Sequence, residues 1–136
     1  LDAAQHKWVE ELGGMNVFLV FDDGSLVTPP LSGTILPGIT RDSILTLARK
    51  DGRAVREERY SIDQWRADAA SGKLREAFAC GTAAVVASIG KIKSASGDIL
   101  IGDGAGGPVT AAIKAKLVGI QRGEIADEFG WVRRIG

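Results

Sequence analysis

The sequence predicts a mixed α+β domain. Three observations carry that class: an apolar, β-rich hairpin unit over residues 8–28, three segments with helix start and stop signals, and no sustained β-α-β-α alternation. At 136 residues the chain has the size of one ordinary domain, or of part of a larger one.

In order, Trp8-Val9-Glu10-Glu11-Leu12 is a short strand with poor alternation, and Gly13-Gly14 breaks it. Asn16 to Phe21 is almost continuously apolar, which suits a strand buried on both faces. Asp22-Asp23-Gly24-Ser25 turns the chain into Leu26-Val27-Thr28, and Pro29-Pro30 stops it. A helix is expected from Thr40 to Lys50, with Thr40 as N-cap and Ile44, Leu45, Leu47 and Ala48 as its apolar stripe. Val55 to Tyr60 is charged enough to be an edge strand. Ser61 to Gln64 forms a capping box for a helix ending at Gly72. Glu76 to Ala83 and Val85 to Ile92 are further strands, and Asp98 to Ile101 is a short one. Pro108 opens a helix to about Arg122, with Val109, Ala112, Ile113, Leu117 and Ile120 on one face.

Seventeen basic and seventeen acidic residues cancel, which weighs against a nucleic-acid-binding or polybasic membrane surface. No apolar run approaches the roughly 18–20 residues of a membrane span. Cys80, the single cysteine, can form neither an internal disulfide nor a cysteine-rich zinc site.

Four segments could carry chemistry. Gly102 to Gly107 fits G-x-G-x-x-G between a strand and a helix, as a dinucleotide loop does. A dinucleotide fold also needs a following parallel strand, and Gln121 to Gly136 is too polar to supply one. A plain turn before a helix with Pro at its first position is the other reading. Leu36 to Asp42 places a glycine at a helix start, where free N–H groups and the helix dipole favour an anion. Gly81-Thr82-Ala83 offers a hydroxyl and amides at a bend, or is simply a small-residue turn. In Glu10-Glu11, one carboxylate turns inward if the segment is a strand, and alternation leaves open which. His6 reads as a turn residue and Cys80 as a small core residue.

Read together, the segments Glu10 to Phe18, Leu36 to Asp42, Ala79 to Ala84, Gly106 to Thr110, Gly119 to Gly123 and Gly130-Trp131 form an ordered set. In this order they resemble the C-terminal half of the branched-chain amino-acid aminotransferases. These are fold-type IV enzymes that use pyridoxal 5'-phosphate (PLP), and the resemblance runs over nearly the whole chain. It implies the large C-terminal domain of such an enzyme over residues 1–136, truncated at its N-terminal side. Its antiparallel and mixed sheets would form a pseudo-barrel flanked by helices.

The resemblance also implies roles. Glu11 matches the acid on the pyridine nitrogen, and Leu36 the residue on a ring face. Gly38, Ile39 and Thr40 match part of the phosphate cup, and Thr82 another phosphate ligand. The Thr82 and Ala83 amides match the place that receives the substrate carboxylate. Gly14 and Met15 match the lining of the cofactor and side-chain pocket. No catalytic residue is expected within the chain. The family's Schiff-base lysine belongs upstream of Leu1, and Lys7, Lys50, Lys73, Lys91, Lys93, Lys114 and Lys116 stand in the wrong contexts. The opening Leu1-Asp2-Ala3, without an initiator methionine, suggests a chain cut from something longer. The Cys-x-x-Cys pair of some family members is absent.

The implied activity is transfer of the amino group of leucine, isoleucine or valine to 2-oxoglutarate, in a cytoplasmic homodimer with no nucleic-acid or membrane partner. The alternatives are a dinucleotide-binding oxidoreductase fragment built on Gly102–Gly107, another fold-type IV enzyme such as a D-amino-acid aminotransferase, and a non-catalytic assembly module.

Overall fold

The apolar run after Gly14 becomes the strand on which the rest is assembled. A computed structural model describes residues 1–136. β1 (Glu11–Leu12) turns through Gly13-Gly14 into β2 (Met15–Phe21), and β3 (Leu26–Thr28) returns beside it. Gly13 and Gly14 hold φ of 57° and 85°, a left-handed backbone that a side chain would strain. α1 (Ile39–Lys50) then crosses to β4 (Val55–Glu57), which pairs parallel to β3. α2 (Ile62–Ser71) leads into β5 (Leu74–Gly81), the long antiparallel partner of β2, and β6 (Val85–Ser88) closes a hairpin with β5. The sheet path is β4-β3-β2-β5-β6, with β1 on β2. β7 (Lys91–Ile92) and β8 (Ile99–Leu100) form a separate ribbon, and α3 (Pro108–Gln121) is the last helix. The class is therefore mixed α+β, as the sequence predicts.

The period-two geometry of β2 divides its side chains between two cores. Phe18 and Val20 join Ile44, Leu45 and Leu47 of α1 and Ile113, Leu117 and Ile120 of α3. Val17, Leu19 and Phe21 join Trp65 of α2, Tyr60, and Ile99 and Ile101 beside the ribbon. Phe18 faces Phe78 across the ladder, and their rings stack at 5.1 Å.

Several boundaries move. The expected strand from Trp8 to Leu12 shrinks to Glu11–Leu12, plus one bridge from Trp8 to Ser61. Asp2, whose carboxylate accepts the N–H groups of Gln5, Lys7 and Trp8, holds the preceding residues in a turn, and the Val9 N–H donates to the Tyr60 carbonyl rather than joining β2. The edge strand at Val55 ends at Glu57, and Tyr60 leaves the edge to be buried near Trp65. Val85 to Ile92 breaks at Ile89-Gly90. There a Cβ on Gly90 would overlap the Gly104 carbonyl oxygen, so two backbones touch where the sequence pattern carries a strand onward. On α3, Ala112 is exposed, while Thr110 and Gly119 take its place in the buried face.

Candidate cofactor site

β2 begins and β5 ends at the same end of the sheet, because the two run antiparallel. Asn16 sits there at 5% exposure, with Glu11 as its cross-strand partner on one side and Cys80 on the other. The Asn16 side-chain amide Nδ2 donates to the Leu36 carbonyl at 2.9 Å. The Leu36 N–H donates to Glu11 Oε2 at 3.3 Å. The carboxylate of Glu10 instead accepts from the Thr34 hydroxyl at 2.7 Å. Both acids are half-buried, and each is satisfied by a neutral donor rather than a cation. Glu11, Leu36 and Gly38 are thus drawn together around Asn16.

The start of α1 lies next to them. Its N-cap is Gly38 in an extended conformation, not Thr40, which occupies the second helical position. The correction has a steric cause: a Cβ at position 38 would overlap Asn16 Oδ1, so a larger residue where the helix begins would push that side chain aside. No side chain caps α1, and its first N–H groups have no intrahelical acceptor. They border an open depression of about 310 Å³ lined by Leu31, Pro37, Gly38, Ile39, Arg41 and Asp42. Leu36 and Ile39 are largely exposed, at 60% and 79%. Thr40 is half-buried.

α1 is held in place from behind. Arg41, buried in the first turn, donates through Nη2 to the Pro29 carbonyl at 3.0 Å and to Glu57 Oε1 at 2.7 Å. Arg49 reaches Glu57 Oε2 at 3.0 Å. The Arg41 hydrogen bond, with help from Arg49, holds the Glu57 carboxyl below its usual range against the opposing effect of partial burial.

On the other side of β2, the turn after β5 carries exposed Thr82 and Ala83. Met15 is half-buried against Gly81, where a Cβ would meet Met15 Cγ at 3.3 Å. Gly14 is exposed in the β1–β2 turn. No hydrogen bond joins Thr82 or Ala83 to Glu11, Leu36 or Thr40. Cys80 is fully buried, and burial pushes its thiol up to about 12, so it is a core residue. No lysine is ion-paired or hydrogen-bonded to Glu11, Leu36, Thr40 or Thr82. Lys50 pairs with Glu128, Lys73 with Asp68, Lys91 with Asp98 and Lys116 with Asp51.

The glycine loop before α3 does not offer a second anion site. Glu76, 5% exposed within β5, accepts from the Val109 N–H at 3.0 Å and the Thr110 N–H at 2.7 Å. A Cβ at Gly107 would overlap the Glu76 carboxyl group. The chain's own carboxylate therefore fills the place a pyrophosphate would take, and no strand follows α3. The dinucleotide reading is overturned. Of the two glycine-led helix starts, only that of α1 is free.

Sequence reasoning misses Asn16, Arg41 and Glu76. A polar residue opening or interrupting an apolar run is the signal available for Asn16 and Glu76.

Comparisons with known proteins give the family. The family described as amino-transferase class IV matches residues 1–92. The branched-chain-amino-acid aminotransferase of Mycobacterium tuberculosis is 50% identical over all of this chain and 38% of its own length. That of Mycolicibacterium smegmatis is 49% identical over 99% of this chain and 38% of its own. The chain thus spans well under half of the curated relatives it matches. Among solved structures, the branched-chain amino acid aminotransferase of Escherichia coli superposes with a TM-score of 0.80 at 36% identity, over 95% of this chain and 39% of that one. The T.th. branched-chain amino acid aminotransferase, complexed with N-(5'-phosphopyridoxyl)-L-glutamate, superposes with a TM-score of 0.82 at 30% identity, over 97% and 40%. By its matched residues and its fold, the chain belongs to the class IV aminotransferase family.

Proposed function

We propose that this chain is the C-terminal, cofactor-binding part of a branched-chain amino-acid aminotransferase. The whole enzyme would bind PLP and move the amino group of leucine, isoleucine or valine to 2-oxoglutarate. One observation carries the reading: Glu11, Leu36 and the uncapped start of α1 converge on Asn16 at the end of the sheet where Thr82 turns.

The residues fit a phosphorylated pyridine. The close approach at Gly38 leaves the α1 amides free, and an anion suits them. Bound there, PLP would supply an electron-accepting ring that stabilises negative charge at a substrate's α-carbon. In this proposal Glu11 holds a proton on the ring nitrogen, since a carboxylate beside it favours the charged form. Leu36 covers a face of the ring. The Ile39 and Thr40 amides, with the Thr40 and Thr82 hydroxyls, donate to the phosphate. The Thr82 and Ala83 amides receive the substrate carboxylate, and Gly14 and Met15 border its apolar side chain. The lysine that accepts the α-proton belongs to a segment upstream of Glu11. A homodimer in the cytoplasm completes the proposal.

The test uses the full-length protein. Added PLP should give the visible band of the protein-bound cofactor, and leucine, isoleucine and valine should each yield glutamate from 2-oxoglutarate. No band, or turnover of D-alanine without turnover of leucine, overturns the proposal. Sedimentation equilibrium checks the dimer.

A further inference from the structure

Asn16 has no part in the chemistry just proposed, yet four segments of the site meet on it. Its backbone pairs with Glu11 and with Cys80, the residue before Gly81 and Thr82. Its Nδ2 donates to the Leu36 carbonyl, which also accepts from the Gly38 N–H at 2.8 Å. Its Oδ1 faces the Gly38 Cα so closely that any Cβ there would overlap it. The Leu36 N–H meanwhile reaches Glu11.

Packing alone does not call for a carboxamide here. The rest of β2 from Val17 onward is apolar and buried. Burying an amide is costly unless its groups are satisfied, and this one bonds to a loop twenty residues away. That loop ends at the first residue of α1.

We propose that Asn16 is a positioning residue. Its carboxamide latches the Leu36–Gly38 segment, so that the first N–H groups of α1 point at the cofactor's phosphate. The proposal rests on the function argued above. A displacement of about 1 Å in such a cup is enough to degrade it.

The experiment titrates the full-length apoprotein with PLP and, separately, with pyridoxal, which lacks the phosphate. The variants are Asn16→Ala, Asn16→Asp, Gly38→Ala and the double variant Asn16→Ala/Gly38→Ala; thermal midpoints are recorded alongside. Losing the latch should weaken PLP binding about ten-fold, as one lost hydrogen bond implies, and pyridoxal binding by less than about three-fold. Gly38→Ala should weaken PLP binding more in the presence of Asn16 than in the Asn16→Ala background, because the overlap is then relieved. Asn16→Ser carries the comparison if Asn16→Asp does not fold.

Equal losses for PLP and pyridoxal would reduce Asn16 to a general structural role and overturn the proposal. So would additive effects of the two positions, or unchanged PLP binding in every variant beside a wild type that binds it. A wild-type protein that binds no PLP overturns the functional reading, and this inference with it.

Discussion

Glu11 and Cys80 flank Asn16 on its two neighbouring strands, and their surroundings assign them opposite fates. Glu11 is half-buried with a carboxylate oxygen toward an exposed loop amide. On the proposed assignment the ring would lose the group that keeps it protonated, so Glu11→Ala in the full-length enzyme is expected to keep PLP bound and to lower transamination about a hundred-fold or more. Steady-state rates with leucine check this, and near-normal turnover would place the nitrogen partner elsewhere. Cys80 is fully buried in the core shared with α1, its thiol raised to about 12 from an ordinary 9.0. A raised value means the folded state holds its proton longer. The stabilising effect is complete below pH 9.0 and is lost as the pH climbs toward about 12. Native protein at about pH 8, below the ordinary thiol range, should therefore leave Cys80 untouched by a thiol-disulfide reagent, and denatured protein should react fully. Adjacent acids at 10 and 11 mark a carboxylate here, but alternation does not choose between them. Only the resemblance makes that choice. Both are satisfied by partners more than twenty residues away, Thr34 and Leu36, which no local pattern reveals.

The helices show how local a signal must be to be read from sequence. The capping box of α2 is complete within four residues: the Gln64 N–H donates to Ser61 Oγ at 3.1 Å, and the Ser61 N–H to Gln64 Oε1 at 3.0 Å. Gly72 ends that helix in the left-handed region, also as expected. The N-cap of α1 lies two residues before Thr40, where a larger cap would push aside Asn16 on another strand. The start of α3 differs in kind from its sequence signal. Its six-residue glycine pattern suggests a ligand loop, whereas the ligand is Glu76, more than thirty residues earlier. Glu76→Gln keeps the shape but leaves an NH2 group where an acceptor stood. Glu76→Ala leaves the N–H groups of half-buried Val109 and buried Thr110 with no partner. The alanine variant is expected to cost about 2 kcal/mol, in the range for buried hydrogen bonds to a charged group. The glutamine variant should cost less. Denaturant midpoints of the two variants, taken with the wild-type slope, check the order.

At the scale of the molecule, the candidate site depends on how α1 is anchored to the sheet. Arg41, Arg49 and Glu57 tie the helix to β4 and to the end of β3 at Pro29. The Glu57 carboxyl lies below its ordinary 4.5, so folding favours its ionised form. That contribution is present above pH 4.5 and disappears as the pH falls through the lower folded value. Glu57 is part-exposed, so solvent screens the pair and the effect is modest. Thermal midpoints followed from about pH 7 to about pH 3 should fall less steeply for Glu57→Gln than for wild type; parallel curves would remove the clamp from the account. The mixed class, the hairpin and the order of the helices are legible in the sequence because turns, caps and apolar periods are local. The parallel pairing of β3 with β4 is not, because it is decided by α1 packing across the sheet. One consequence lies in β2. Its odd-numbered side chains, from Val17 to Phe21, serve one core, and Phe18 and Val20 serve the other. Neither half of the molecule can therefore open while the other stays closed without uncovering this strand. The amide protons from Val17 to Phe21 should be the last to exchange with deuterium, and at one common rate rather than two.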